Sequence, residues 1–282
     1  MLFTPQRPRI QIKSRSELDG MRAAGRLAAE CLQMLCDAVK PGISTQDLDD
    51  MSMAFAEKHG ARPAPLGYGK THDRIAFPRS ICTSVNEVIC HGIPAKDHIL
   101  REGDIIGIDV TLVVDGFHGD TCSTVPVGAV DDDTARLMQV TLESLKRGIE
   151  VVRDDARLGD IGHAIQSYVE PQGFSVVRDF VGHGIGRKFH EPPQVEHHGR
   201  AGRGTRLRSG MTFTIEPMVN AGTWRCRLLD DQWTAVTTDG LKSAQYEHTL
   251  AVTPRGFEIM TVQNDDGSWE PPGRVDLPTV DA

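Results

Sequence analysis

The chain carries six cysteines in 282 residues, yet no two stand at Cys-x-x-Cys spacing and no dense cysteine framework appears. Cys31, Cys36, Cys82, Cys90, Cys122 and Cys226 therefore read as reduced thiols packed as small apolar side chains. No apolar run approaches the roughly 18 residues of a membrane-spanning helix. The opening stretch, MLFTPQRPRIQIKSR, has no apolar core of signal-peptide length. Positive charge is in deficit: 31 Lys and Arg stand against 39 Asp and Glu, for a net charge of −8. An acidic balance argues against a protein whose main business is gripping nucleic-acid phosphates. A cytoplasmic protein with no membrane and no specific nucleic acid among its partners is expected.

What is present is ordinary for a globular protein, with 39% hydrophobic and 25% charged residues. The length suits one large domain or two small ones. Residues 1–13 read as an extended arm. From Ser16, as N-cap, the apolar stripe Leu18, Met21, Leu27, Cys31, Leu35 predicts a long helix. A second helix follows, capped by Ser44 or Thr45 and stopped at Gly60. Strand-like material fills 80–128, with a hairpin signal at Asp115-Gly116. A third helix begins after the acids at 131–133, a fourth spans GDIGHAIQSYVEPQG, and strands fill roughly 174–262. The tail, 263–282, is rich in Pro, Gly and acid and reads as loosely ordered. Long helix, shorter helix, then strands occurs twice. That order predicts two similar halves and an α+β fold with a mostly antiparallel sheet.

Several acids sit where apolar residues belong. A two-residue loop at Asp115-Gly116 pairs Val114 with Phe117 and Thr111 with Asp120. Asp109 and Asp120 are then diagonal cross-strand neighbours, about 7–8 Å apart. Carboxylates reaching inward from there could hold one or two metal ions, catalytic pairs of which lie about 3.5–4 Å apart. Surface acids on a half-exposed sheet are the plainer reading, but Ile105, Ile106, Ile108 and Val110 surround Asp109. His183 and His190 flank glycines in VGHGIGRKFHEPPQV, whereas His197 and His198 fall in a polar loop and read as solvated. Glu216 interrupts the apolar strand MTFTIEPMVN, and Glu247 the strand YEHTLAVT. Four carboxylates in one core repel one another unless cations intervene. Oxygen-rich ligation with one imidazole suits Mn, Fe(II), Co or Zn.

These residues, in this order, resemble the methionine aminopeptidase family, type I and bacterial-type. The resemblance covers about residues 14–262 and is carried by SICTSVNEVICHGIP, DGFHGDT, GHGIGRKFHEPPQV, MTFTIEPMVNAG and SAQYEHTLAVT. It implies the pita-bread fold: one catalytic domain, two pseudo-symmetric halves, and a central antiparallel sheet flanked by helices. It implies two divalent metal ions per chain (Co, Mn, Fe or Zn), held by Asp109, Asp120, His183, Glu216 and Glu247, with Glu247 and Asp120 shared between them. It implies Glu216 as proton carrier, His91 at the scissile amide nitrogen and His190 near the substrate carbonyl. Phe77, Cys82, Phe189 and Trp233 match positions lining a methionine pocket. Ser243 matches a hydroxyl near a monovalent-cation site in some members. The implied partners are peptide substrates, including nascent chains met in transient ribosome contact, and a monomer is expected.

Two departures accompany the likeness. The stretch LGYGKTHDRIAFPRS is longer by about six residues than in bacterial relatives, with Arg74 and Ile75 where a tyrosine and a histidine are usual. Tyr68 or His72 folding back would restore that rim. Gly107 stands where many relatives carry asparagine. The type I assignment follows from the 33 positions between His183 and Glu216, too few for the helical insert of type II enzymes. Two rivals remain: a prolidase or aminopeptidase P of the same fold, which usually carries a further N-terminal domain, and a metal-free binding module, which should show damaged ligands.

Overall fold

Ser14, not Ser16, opens the first helix, α1 (Arg15–Ala38). The Ser14 hydroxyl accepts from the Glu17 amide while the Ser14 amide donates to the Glu17 carboxylate at 2.8 Å. Only a serine three residues before Glu17 can close this reciprocal cap, and Ser16 is one residue before it. α2 (Thr45–Lys58) begins the same way from Ser44 with Asp47. α3 (Asp132–Glu150) is capped by Asp131, and α4 (Leu158–Val169) runs on into a short 3₁₀ turn ending at Gly173. The computed structural model describes residues 9–72 and 75–262. Most of the expected arm (1–8), Arg74 and the whole tail (263–282) lie outside the described residues.

Nine strands make the main sheet: β1 (Arg62–Pro63), β2 (Cys82–Val85), β3 (Ile105–Val114), β4 (Phe117–Pro126), β5 (Gly182–Gly184), β6 (Glu191–Val195), β7 (Thr212–Ile215), β8 (Glu247–Thr253) and β9 (Gly256–Ile259). Their order is β1-β3-β4-β8-β7-β5-β6, with β2 also on β3 and β9 on β8. Every pairing among them is antiparallel. The β3–β4 hairpin has the expected register, Val114 opposite Phe117 and Thr111 opposite Asp120. Its two turn residues both take positive φ, 50° at Asp115 and 79° at Gly116, as a tight hairpin that follows the strand twist requires.

Two three-stranded sheets flank the main one. The first joins Ser175–Val176, Met218–Asn220 and Ser243–Gln245; the second joins Val88–Cys90, Cys226–Leu228 and Ala235–Thr237. The strand material expected from 174 onward is thus interrupted: the Val177 amide still donates to the Met218 carbonyl at 3.0 Å, and 178–181 leaves the ladder. The two halves keep separate cores. α1 and α2 bury Leu32, Leu35 and Leu48 against Ile106, Ile108 and Val110 of β3. α3 and α4 bury Leu145, Ile161 and Ile165 with Phe213, Ile215 and Leu250 of β7 and β8. At about 25 cal/mol per Å², such apolar burial is the main favourable contribution to folding. The sheet is consequently covered by helices.

Candidate metal centre and active-site pocket

Strand register alone assembles the acids. Cys82 lies opposite Asp109, Asp109 opposite Cys122, and Cys122 opposite Glu247, a row across four strands. β8 pairs His248 with Ile215; past a break, Gln245 pairs with Met218. The register is the same on both sides of the break, so Glu216 stands opposite Glu247 and ends the row. A second row lies two residues away, on the same face because strand side chains alternate. There Thr111 faces Asp120 and Thr249 faces Thr214. Thr249 Oγ1 donates to the Asp120 carbonyl at 2.8 Å, and the His183 amide donates to Thr214 Oγ1 at 3.0 Å. Asp109, Asp120, His183, Glu216 and Glu247 therefore occupy two adjacent rows on one face.

The second row's threonines aim the carboxylates. Thr111 Oγ1 donates to Asp120 Oδ1 at 2.6 Å, and Thr214 Oγ1 to Glu216 Oε1 at 2.7 Å. His183 Nδ1 donates to the Gly184 carbonyl at 2.9 Å, which points Nε2 at Asp120 Oδ2 (3.5 Å) and Glu216 Oε1 (3.8 Å). A ring held by a carbonyl on one nitrogen and free on the other is the usual state of a metal-binding histidine.

The electrostatics are hostile to bare carboxylates. Burial, then the charges of Asp120 and Glu216, pushes Asp109 and Glu247 well above the usual carboxylate range. Burial, offset by His183, takes Glu216 up to about 7. Burial opposes charge on His183, but Asp120 and Glu216 outweigh it and raise its pKa. Asp109 Oδ1 and Glu247 Oε1 are shut from solvent and have no hydrogen-bond partner among the described residues. A buried carboxylate oxygen with no donor costs several kcal/mol. Donor atoms of Asp120, His183 and Glu247 lie within 4.8 Å of one another. Orphaned acceptors, clustered donors and an oriented imidazole fit a divalent cation.

The rows floor a cavity of about 320 Å³. Every residue proposed from sequence for catalysis, divalent metal or substrate lines it. Phe77, Cys82 and Trp233 form one buried cluster, with Phe77 and Trp233 in a T-shaped contact at 5.3 Å. Phe189 stands with His190, and His190 lies 4.1 Å from His183 between ring centres. His91 enters from a turn with φ of 56°, a conformation sparsely used by non-glycine residues, and its ring meets Phe180 and Trp233 edge-on.

Sequence reasoning missed part of the wall. Tyr68 does fold back: its hydroxyl lies 2.7 Å from His190 Nδ1 and its ring abuts Phe189. His72 does not line the cavity. Asp179, Phe180 and Val181 reach the cavity from the break in the expected strand, and Met218 from beyond Pro217. His197, expected in a solvated loop, is instead 1% exposed, and its Nε2 accepts from the Glu216 amide at 3.1 Å. The alternation of buried positions 191, 193 and 195 simply continues to it, a signal present in the sequence. Ser243 lies in the first small sheet, away from the cavity, with its hydroxyl donating to the Val219 carbonyl at 3.3 Å. At Gly107 a Cβ would meet Ser84 and Thr124 at 3.6 Å, an ordinary contact, so space does not demand glycine there.

An antiparallel sheet with one acidic, imidazole-bearing face suits a metal centre, and the chain belongs to metallopeptidase family M24, whose sequence model matches residues 19–254. Within that family it falls among the methionine aminopeptidases. It is 55% identical over 253 residues to methionine aminopeptidase A of Synechocystis sp., covering 90% of this chain and 98% of that one. The crystal structure of methionine aminopeptidase from Rickettsia prowazekii superposes with a TM-score of 0.87 at 50% identity, covering 90% of this chain and 100% of that one. The prolidase from Pyrococcus furiosus shares the pita-bread fold, with a TM-score of 0.71 at 18% identity over 65% of its length. Among the described residues no helix is long and apolar enough to cross a membrane.

Proposed function

We propose that this chain hydrolyses the first peptide bond of a polypeptide and releases its N-terminal methionine, using two divalent cations. The observation that carries the reading is the pair of residue rows, which set four carboxylates and one imidazole on the floor of a pocket walled by aromatic side chains. Asp109, Asp120, His183, Glu216 and Glu247 would hold the cations, and Glu247, between Asp109 and Glu216 in the first row, would serve both. Bound there, the cations would supply a water of lowered pKa and a Lewis acid for the lone pair of the substrate's neutral amine.

The chain's own groups do the rest. Glu216, fixed by Thr214, takes the proton of the attacking water and delivers it to the leaving amine. His190 donates to the substrate carbonyl as negative charge develops on its oxygen. His91 orients the amide nitrogen from the opposite wall. Phe77, Cys82, Trp233, Phe189 and Tyr68 enclose an unbranched, polarisable thioether side chain. Small second residues are preferred sterically, since a methylene in such a site is worth only about 1–3 kcal/mol.

The test is hydrolysis by metal-stripped protein resupplied separately with Mn, Fe(II), Co and Zn. Release of methionine from Met-Gly and Met-Ala peptides in at least one arm, with X-Pro peptides left intact, is the expected result. Turnover of X-Pro peptides alone, or turnover undiminished in the stripped protein, overturns the reading.

A further inference from the structure

Glu216 sits where a strand changes sheets. Thr212–Ile215 pairs within the main sheet and Met218–Asn220 within a small one. Pro217 between them has no N–H, and the ladder lapses across this gap. The Glu216 amide is therefore a buried donor without a strand partner, and such a group costs about 1–3 kcal/mol if left unmet. The acceptor that meets it is not a carbonyl but His197 Nε2, 3.1 Å away. The ring reaches it from the segment that follows β6, on the far side of β5 from β7.

That segment is itself clamped. A Cβ on Gly162 of α4 would lie 2.4 Å from the His198 carbonyl oxygen and 2.7 Å from that of Glu196, so only glycine lets the helix and the segment meet. One position on, the Gly199 amide donates to Gln166 Oε1 at 2.9 Å, again from α4. An acceptor nitrogen must be unprotonated, which puts the ring's one proton on Nδ1.

We infer that His197 is a positioning residue for Glu216: anchored to α4, its neutral imidazole fixes the Glu216 backbone and hence where the carboxylate stands in the row. The inference rests on the role proposed above for Glu216. Thr214 and Gln245 hold the two carboxylate oxygens, at 2.7 and 3.4 Å, but among the described residues nothing else holds this amide. Without the anchor the carboxylate remains in the cavity and loses its register against Glu247.

The experiment compares His197→Leu, which removes the acceptor at similar volume, with His197→Gln, which replaces Nε2 by an amide oxygen. Supporting groups of this kind are worth roughly 10- to 100-fold. His197→Leu is expected to lower kcat on a Met-Ala peptide by roughly that factor with KM within about twofold, and His197→Gln to recover most of it. In metal-free, unmodified protein, ¹⁵N spectra of the imidazole should show Nδ1 protonated and Nε2 bare, and the Glu216 amide resonance should move in the Leu variant. A protonated Nε2 overturns the inference even if both variants fail to fold. So does a Leu variant with kcat near the parent's, or a folded Gln variant no better than Leu. Failure of the Glu216 role shows separately, as near-normal turnover by Glu216→Gln.

Discussion

Glu216 and Glu247 face each other across β7 and β8, at the one place where both strands pass from the main sheet into the small one. His248–Ile215 closes the ladder on one side and Gln245–Met218 on the other. Two glutamates directly opposite are destabilising by like charge. The opposition is therefore useful only with cations between them, and it separates two roles. Glu216→Gln keeps the hydrogen bonds of Thr214 and removes the proton acceptor. It is expected to lower kcat by roughly 10²–10⁴-fold while the chain stays folded. Glu247→Ala removes the carboxylate that stands between Asp109 and Glu216 in the row. Metal analysis after dialysis should then find both cations diminished together, whereas His183→Ala should spare one. Independent loss in the Glu247 variant would remove its bridging role.

The metal-free protein should grow less stable as pH rises above about 6.5. Glu216 is raised to about 7, and Asp109 and Glu247 also lie above their ordinary values. Acids raised on folding bind more protons folded than unfolded, so their contribution falls as pH climbs through the folded pKa. His183, raised by Asp120 and Glu216 against its burial, acts in the same direction. His190, His197 and His248, each lowered to about 3 by burial, act oppositely. Their effect is complete once the pH exceeds the ordinary histidine value near 6.5. Thermal melts between about pH 6.5 and 8.5 isolate the first group. Tm should drop across that window without metal, and added Mn or Co should raise it more at the alkaline end, where ligands bind without giving up protons. A metal-free Tm that is flat or rising there contradicts the electrostatics.

Much of this site could be read from the sequence because its first part is local. Asp115-Gly116 fixes a two-residue turn, and alternation then places Asp109 and Asp120 on one face. The acids of β7 and β8 announced themselves as carboxylates in apolar strands, and a carboxylate there needs a partner. The register that sets Glu216 against Glu247 was not legible, since it joins strands some thirty residues apart through tertiary pairing. Nor was the break at 178–181 that delivers Asp179, Phe180 and Val181, because Arg178 and Asp179 are compatible with the polar positions of a half-exposed strand. His197 shows the limit: its alternation was visible, but a ring nitrogen replacing a strand carbonyl is decided by Pro217, twenty positions away.

Tyr68 ties the lengthened loop to the chemistry. Its hydroxyl is 2.7 Å from His190 Nδ1, and the loop is held at its base by the Phe77 amide donating to the Tyr68 carbonyl at 2.9 Å. Burial and nearby His183 keep His190 uncharged, with a pKa of about 3, so the phenol can donate and leave the ring proton on Nε2 for the substrate carbonyl. Tyr68→Phe deletes one hydrogen bond worth about 1 kcal/mol. A roughly fivefold fall in kcat on a Met-Ala peptide is expected, with little change in stability. An unchanged kcat would dismiss the hydroxyl as a support for His190.

Lys13 belongs to the expected arm, but it is buried and fastens that arm to the site. Its Nζ lies 2.6 Å from Glu191 Oε2, with the two side chains only 3% and 4% exposed. Its amide donates to the Gly210 carbonyl, and the Lys188 amide donates to Glu191 Oε1 at 3.1 Å. Glu191 directly follows His190, so the pair anchors the end of the loop that presents Phe189 and His190. Breaking a buried ion pair on one side leaves an uncompensated charge and costs about 3–5 kcal/mol, whereas replacing both partners costs much less. Lys13→Met should lower the urea-denaturation midpoint by a corresponding amount. Lys13→Met with Glu191→Gln should recover most of that loss, because no buried charge is then left without a partner. A single variant within about 1 kcal/mol of the parent would mean that Glu191 finds another cation or water, and that the arm is not what fixes the loop.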